Sequence, residues 1–146
     1  MSLPQPVPGL VIRYSYLWYR EHLAGREEGN KDRPCAVVAA IRTDEHGDTR
    51  VLVLPITHSA PEHERLAVEL PAVVKRRLGL DDVPSWVVLS EWNDFVWPGP
   101  DLRRVPNADD SSVAYGMLPP SLFNKIKSQF LALAQTRAAR GVPRTT

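Results

Sequence analysis

The chain has 146 residues, 43% of them hydrophobic, with a formal net charge of +1. That length fits one domain whose core needs no disulfide or metal staple, and the near-neutral balance excludes binding that rests on an overall basic or acidic field. A single cysteine, Cys35, excludes an internal disulfide, and no run reaches the roughly 18 apolar residues of a membrane-crossing helix.

Pro4, Pro6 and Pro8 predict an extended, loose segment over 1–8. It has no basic stretch followed by a hydrophobic run, so no signal peptide is expected and the cytoplasm is the default location. The run Leu10 to Trp18 reads as a strand, with Tyr14, Tyr16 and Trp18 spaced two apart on one face. Residues 19–32 form a long polar connection with Gly25, Gly29 and Asn30, a length that compact domains usually reserve for function.

Pro34 to Ile41 is a near-continuous apolar run and reads as a central strand that buries Cys35. Residues 43–48 read as a turn, and Val51 to Leu54 as the hairpin partner. Pro55 is expected to end regular pairing or lie at an edge, and so deliver Thr57, His58 and Ser59 to a sheet rim. A short strand at Leu66–Leu70 is followed by a helix begun by Pro71 and ended near Gly79.

Pro84 to Leu89 reads as a buried strand, with Trp86 in the core, ending in a polar rim, Ser90-Glu91-Trp92-Asn93-Asp94. Val113 to Leu118 is a further short strand. The clearest helix comes last, with Ser121 as the N-cap, an apolar stripe of Leu122, Ile126, Phe130 and Leu133, and a stop at Gly141 and Pro143. Residues 121–146 carry Lys125, Lys127, Arg137, Arg140 and Arg144 and no acidic residue. That charge reads either as a solvated helix end, favourable to the helix dipole, or as a local nucleic-acid contact. The expected organisation is one mainly β, partly closed barrel over 9–140 with a C-terminal helix and a flexible tail over 141–146.

The histidines are His22, His46, His58 and His63, and their spacing matches no metal motif. Arg33, at the start of the central strand, offers a fixed fork of donors that stays protonated and suits phosphate oxygens, with Asp32 or Glu28 as alternative structural partners. Thr57 and Ser59 offer hydroxyl donors. His22 and His58 are the natural proton carriers near neutral pH. Trp18 and Trp92 offer stacking faces, and Lys31 and Asn93 offer contacts to phosphate and base edge respectively.

In order and spacing, Pro8-Gly9-Leu10-Val11, the loop over 19–32, Arg33-Pro34, Pro55-Ile56-Thr57 and Ser90-Glu91-Trp92-Asn93 resemble the PemK/MazF family of toxin endoribonucleases over about residues 8–135. The resemblance implies a small SH3-like barrel, usually a homodimer, that cleaves single-stranded RNA without metal or other cofactor and is neutralised by a cognate antitoxin. It implies catalytic roles for Arg33, Thr57, Glu91 and His22, and substrate contacts from Lys31, His58, Ser59, Trp92, Asn93 and Trp18. One position departs from the pattern. Some family members carry an arginine two residues before the acid at Glu91, and this chain has Leu89. The alternative expectation is a non-catalytic barrel that binds RNA or protein.

Overall fold

The computed structural model describes residues 3–26, 29, 31–43, 47–106, 112–136 and 138–144. Glu28, the turn residues 44–46 and Arg137, to which the sequence assigns roles, lie outside the described residues. The elements are β1 (Leu10–Tyr14), α1 (Tyr19–Leu23), β2 (Arg33–Arg42), β3 (Thr49–Thr57), a 3-10 turn (Glu64–Leu66), β4 (Ala67–Glu69) and α2 (Ala72–Leu78). They continue with β5 (Trp86–Val88), β6 (Glu91–Val96), β7 (Ala114–Met117), α3 (Pro120–Gln135) and β8 (Arg140–Pro143).

The strands form one mainly antiparallel sheet in the order β4-β5-β3-β2-β1-β7, with β6 also on β3 and β8 parallel to β6. The fold is therefore mainly β and barrel-like, with a C-terminal helix. Both faces of the central strands are covered, which is why β2 is apolar at successive positions rather than alternating. Ala36 and Val38 join a core with Leu54, Val87, Leu89 and the α3 residues Ile126, Phe130 and Leu133. Cys35 and Val37 join a second core with Ile12, Tyr14, Tyr16, Val53 and Phe95. Burial pushes the Cys35 thiol well above its ordinary pKa, so it is an inert hydrophobe here.

Helix α2 ends on Gly79 in the left-handed conformation (φ 74°), as Pro71 and Gly79 predict. Its Leu78 reaches Gly116 of β7.

Several sequence expectations need correction. Pro55 does not end β3: it faces Cys35, and the opposite edge of β3 pairs with β6 through residues 50–53 and with β5 through 56–57. Pro55 falls between those two ladders, where its missing N–H interrupts neither. The segment expected as a polar rim is β6, a strand held on both sides, and Trp86 is half-buried rather than core. Helix α3 starts with Pro119 as N-cap and Pro120 in its first turn, not at Ser121. It stops at Gln135, where the Thr136 hydroxyl donates to Leu133 O (2.7 Å).

The tail expected over 141–146 is also structured as far as Arg144. Strand β8 lies on the free edge of β6, Val142 is fully buried, and Arg144 pairs with Asp101 at 3.1 Å. Of the N-terminal segment expected to be extended and loose, the described residues 3–8 bend locally, the Val7 N–H donating to Gln5 O (2.9 Å), and Pro6 is buried. Asn93 is the centre of the network that ties these segments together. Its Oδ1 accepts from the Leu17 N–H and from Arg144 Nη1 (both 2.9 Å), and its Nδ2 donates to Leu17 O (2.8 Å). Arg144 Nη1 also donates to Ser15 O (2.7 Å). Asn93→Ala is expected to leave the Leu17 backbone groups unpaired and cost about 2–4 kcal/mol. Urea unfolding checks this, and a loss within error of zero would remove Asn93 from the centre of the network.

Candidate functional site

A cleft of about 740 Å³ opens where β2 begins and β3 ends. Its register places the residues. The ladder ends with Cys35 facing Pro55, and Arg33 and Thr57 stand two residues beyond that pair, one on each strand. Side chains two apart along a strand share a face, and both residues line the cleft.

Arg33 is held by stacking rather than by ion pairing. Its guanidinium lies 4.9 Å from the centre of the Trp18 ring, and Arg20 lies over the same ring at 5.4 Å. The carboxylate beside it, Asp32, pairs instead with Arg103 at 3.5 Å. Arg33 makes no ion pair with a described residue, and its Nε is buried without a hydrogen-bond partner. Trp18 is held in turn at both sides in sequence. Its N–H donates to Glu21 Oε1 (3.1 Å), and Leu17 before it is clamped by Asn93.

Thr57 Oγ1 accepts from the Ser59 N–H (3.2 Å), which leaves the Thr57 hydroxyl proton free to donate into the cleft. Lys31, His58 and Ser59 line the same space. The His58 Nε2 sits 2.9 Å from Asp81 Oδ2, and Asp81 Oδ1 accepts from Lys75 Nζ at 2.6 Å. Lys75 is 4% exposed; its other donors go to Ser85 Oγ (2.6 Å) and to Val83 O. The Lys75 hydrogen bond holds the Asp81 carboxyl below its ordinary pKa.

The structure thus brings together Trp18, Lys31, Arg33, Thr57, His58 and Ser59. It does not bring the other candidates there. His22 is half-buried on α1, its ring 6.5 Å from that of Tyr19. Glu91 Oε1 accepts from the Tyr19 N–H (2.9 Å) and the Tyr16 hydroxyl (3.1 Å). Trp92 packs edge-on against Phe130 at 5.5 Å, and its indole lies so close to Gly141 that a β-carbon there would sit 2.5 Å from the ring. Asn93 is fully buried in its backbone network, so it presents no edge to a ligand. Leu89 is likewise fully buried, its side chain committed to the core.

Sequence reasoning missed Arg20, Lys75 and Asp81. Arg20 sits in the polar loop without a pattern of its own. Lys75 stands next to the apolar stripe of α2, and the only local hint was the Asp81-Asp82 pair just beyond Gly79. Among the described residues no group of three or more His, Cys, Asp or Glu side chains is arranged to hold a metal ion, and no helix is long and apolar enough to cross a membrane.

Compared with known proteins, the chain matches no family model and no curated sequence. The site is therefore defined by its geometry: a cleft lined by Arg20, Lys31 and Arg33, none of them in an ion pair among the described residues, together with the Thr57 and Ser59 hydroxyls, the His58 imidazole and one further carboxylate, Glu62. Such a lining suits an extended polyanion.

Burial raises the Glu91 carboxyl above its ordinary value of 4.5, against the hydrogen bonds that it accepts. The folded state then holds that proton more tightly than the unfolded state, so its contribution to stability is present below 4.5 and lost as pH rises through the raised folded value. Glu91→Gln keeps an acceptor for Tyr16 and Tyr19 and abolishes this loss. Relative to wild type, the variant is expected to gain stability between about pH 4 and about pH 7 by urea unfolding; the opposite trend would show that its hydrogen bonds outweigh its burial.

Proposed function

We propose that this chain is a metal-independent endoribonuclease that cleaves single-stranded RNA, mRNA above all. In this reading it is the growth-inhibiting toxin of a type II toxin–antitoxin pair, a cytoplasmic homodimer neutralised by a cognate antitoxin. The observation that carries the chemistry is Arg33: a guanidinium without an ion pair among the described residues, stacked on Trp18, in one cleft with the free hydroxyl donor of Thr57. The toxin role, the dimer and the antitoxin come from the resemblance of Pro8-Gly9-Leu10-Val11, Arg33-Pro34 and Pro55-Ile56-Thr57 to the PemK/MazF family.

RNA carries its own nucleophile. The 2′-oxygen attacks the adjacent phosphorus, the bond from phosphorus to the 5′-oxygen breaks, and the products are a 2′,3′-cyclic phosphate and a 5′-hydroxyl. The protein needs to stabilise the added negative charge on the phosphorane and to handle one proton at each oxygen. Arg33 and Thr57 supply donors for the non-bridging oxygens. Lys31 and Arg20 supply charge for flanking phosphates, and Trp18 supplies the surface that keeps both arginines aimed. Proton transfer falls to His58, since His22 lies outside the cleft.

A second reading, a barrel that binds RNA or protein without cutting, is favoured by the aliphatic residue at Leu89, because that side chain offers no proton donor. One experiment separates the two. Purified protein is mixed with long single-stranded RNA in EDTA, and breaks are mapped by primer extension. Discrete cuts, lost when the nucleotide 5′ of the scissile phosphate is 2′-deoxy, are expected. Arg33→Ala and Thr57→Ala are each expected to slow cleavage about 100-fold with folding retained. RNA that is bound but left intact across diverse sequences would establish the second reading.

A further inference from the structure

We infer that Lys75, acting through Asp81, fixes His58 as the tautomer protonated on Nε2, so that Nδ1 is the atom that accepts the 2′-hydroxyl proton. The proton-accepting role rests on the endoribonuclease reading; the orienting role does not.

One lysine of α2 stands in an unusual place. Lys75 lies on α2 beside the apolar stripe and is 4% exposed, yet it lines the cleft wall. A buried ammonium is tolerable only when its donors are engaged. It has three, and the structure gives them three acceptors: Asp81 Oδ1, Val83 O and Ser85 Oγ. No donor remains for a phosphate, so Lys75 is a positioning residue and its effect on the cleft passes through Asp81.

Asp81 has two inequivalent oxygens. Oδ1 receives two donors, Lys75 Nζ at 2.6 Å and the Val83 N–H at 3.1 Å, while Oδ2 faces His58 Nε2 at 2.9 Å. An ionised carboxylate only accepts, so Nε2 must carry the hydrogen. In the neutral ring the other nitrogen, Nδ1, then holds a bare lone pair. His58 directly follows Thr57 in the chain, and both line the cleft that holds Arg33. The step balances simply: the 2′-hydroxyl proton passes to Nδ1 as the new bond from the 2′-oxygen to phosphorus forms, and the Asp81 carboxylate faces the resulting imidazolium. The departing 5′-oxygen takes a proton from water, and His58 returns its own to solvent.

The two donors on Oδ1 make a sharp test possible. In Asp81→Asn, Lys75 and the Val83 N–H still require an oxygen where Oδ1 stands. The amide must therefore place its NH2 group toward His58, and an NH2 donor requires Nε2 to be the acceptor. The tautomer inverts, the hydrogen moves to Nδ1, and the proton acceptor is lost with hardly any change of shape. Asp81 is half exposed, so the variant is expected to fold.

Long-range nitrogen-15 NMR of the histidine rings, above their titration range, reads the tautomer in the protein alone. Wild type is expected to show His58 protonated on Nε2, and Asp81→Asn to show it protonated on Nδ1. In the RNA assay Asp81→Asn is expected to lower kcat about 100-fold with KM little changed. Lys75→Met is expected to give a mixed tautomer and a loss of about 10-fold, while Arg33→Ala loses cleavage with the tautomer unchanged. An Nε2-protonated His58 in Asp81→Asn overturns the proposal, whatever the cleavage rate. A folded Lys75→Met that matches wild type in both readouts overturns the part of Lys75. Inversion of the tautomer in a protein that cuts no RNA upholds the orienting chain and ends the proton-accepting role together with the endoribonuclease reading.

Discussion

The ladder between β2 and β3 sets Cys35 against Pro55 and Val37 against Val53, and both faces of this pair are packed into core. A slip of one residue would exchange the side chains between the two cores and put Arg33 and Thr57 on opposite faces. The bulge between Val37 and Ala39 absorbs the mismatch farther along, so that the cleft end of the ladder keeps its alignment. The placement of a cation and a hydroxyl at one rim is thus a consequence of packing that happens well away from the rim.

A second level of support comes from buried polar groups. The stretch after β1 has no sheet partner for Leu17, whose N–H and C=O are taken up by the Asn93 amide. Arg144, arriving from the far end of the chain, completes that network through Asn93 and Ser15 and pairs with Asp101. A fully satisfied buried network of this kind admits few alternative arrangements. Here it fixes the path of the chain just before Trp18, and Trp18 is the surface on which Arg33 and Arg20 rest. Residues that never touch the cleft therefore decide where its arginines point.

The cleft is polarised by how its charges are partnered. Asp32 and Asp81 are engaged by Arg103 and Lys75, whereas Lys31, Arg20 and Arg33 are in no ion pair among the described residues and outnumber the one further lining carboxylate, Glu62. A chain with a net charge of +1 can in this way present a locally cationic groove. Stacking on an indole suits such a groove, because it orients a guanidinium while leaving most of its N–H donors unspent.

The sequence by itself determined the fold class and the position of Arg33 and Thr57 at strand ends. Short apolar runs broken by proline and glycine can only be strands of a small sheet. The stripe of Ile126, Phe130 and Leu133 can only be one side of a helix, and Arg33 and Thr57 stand where apolar runs meet polar ones. These are local signals, carried by period and by backbone chemistry. Glu91, Trp92 and Asn93 were a different matter. The same local string suits an exposed rim or a buried strand, and the choice depended on whether Leu17, Tyr16, Gly141 and Arg144 would come near enough to satisfy it. Lys75 and Asp81 were equally illegible, since a lysine beside a helical stripe is ordinarily solvated. Only the tertiary structure, by bringing the 81–85 loop over α2, supplied the acceptors that allow an ammonium to be buried there.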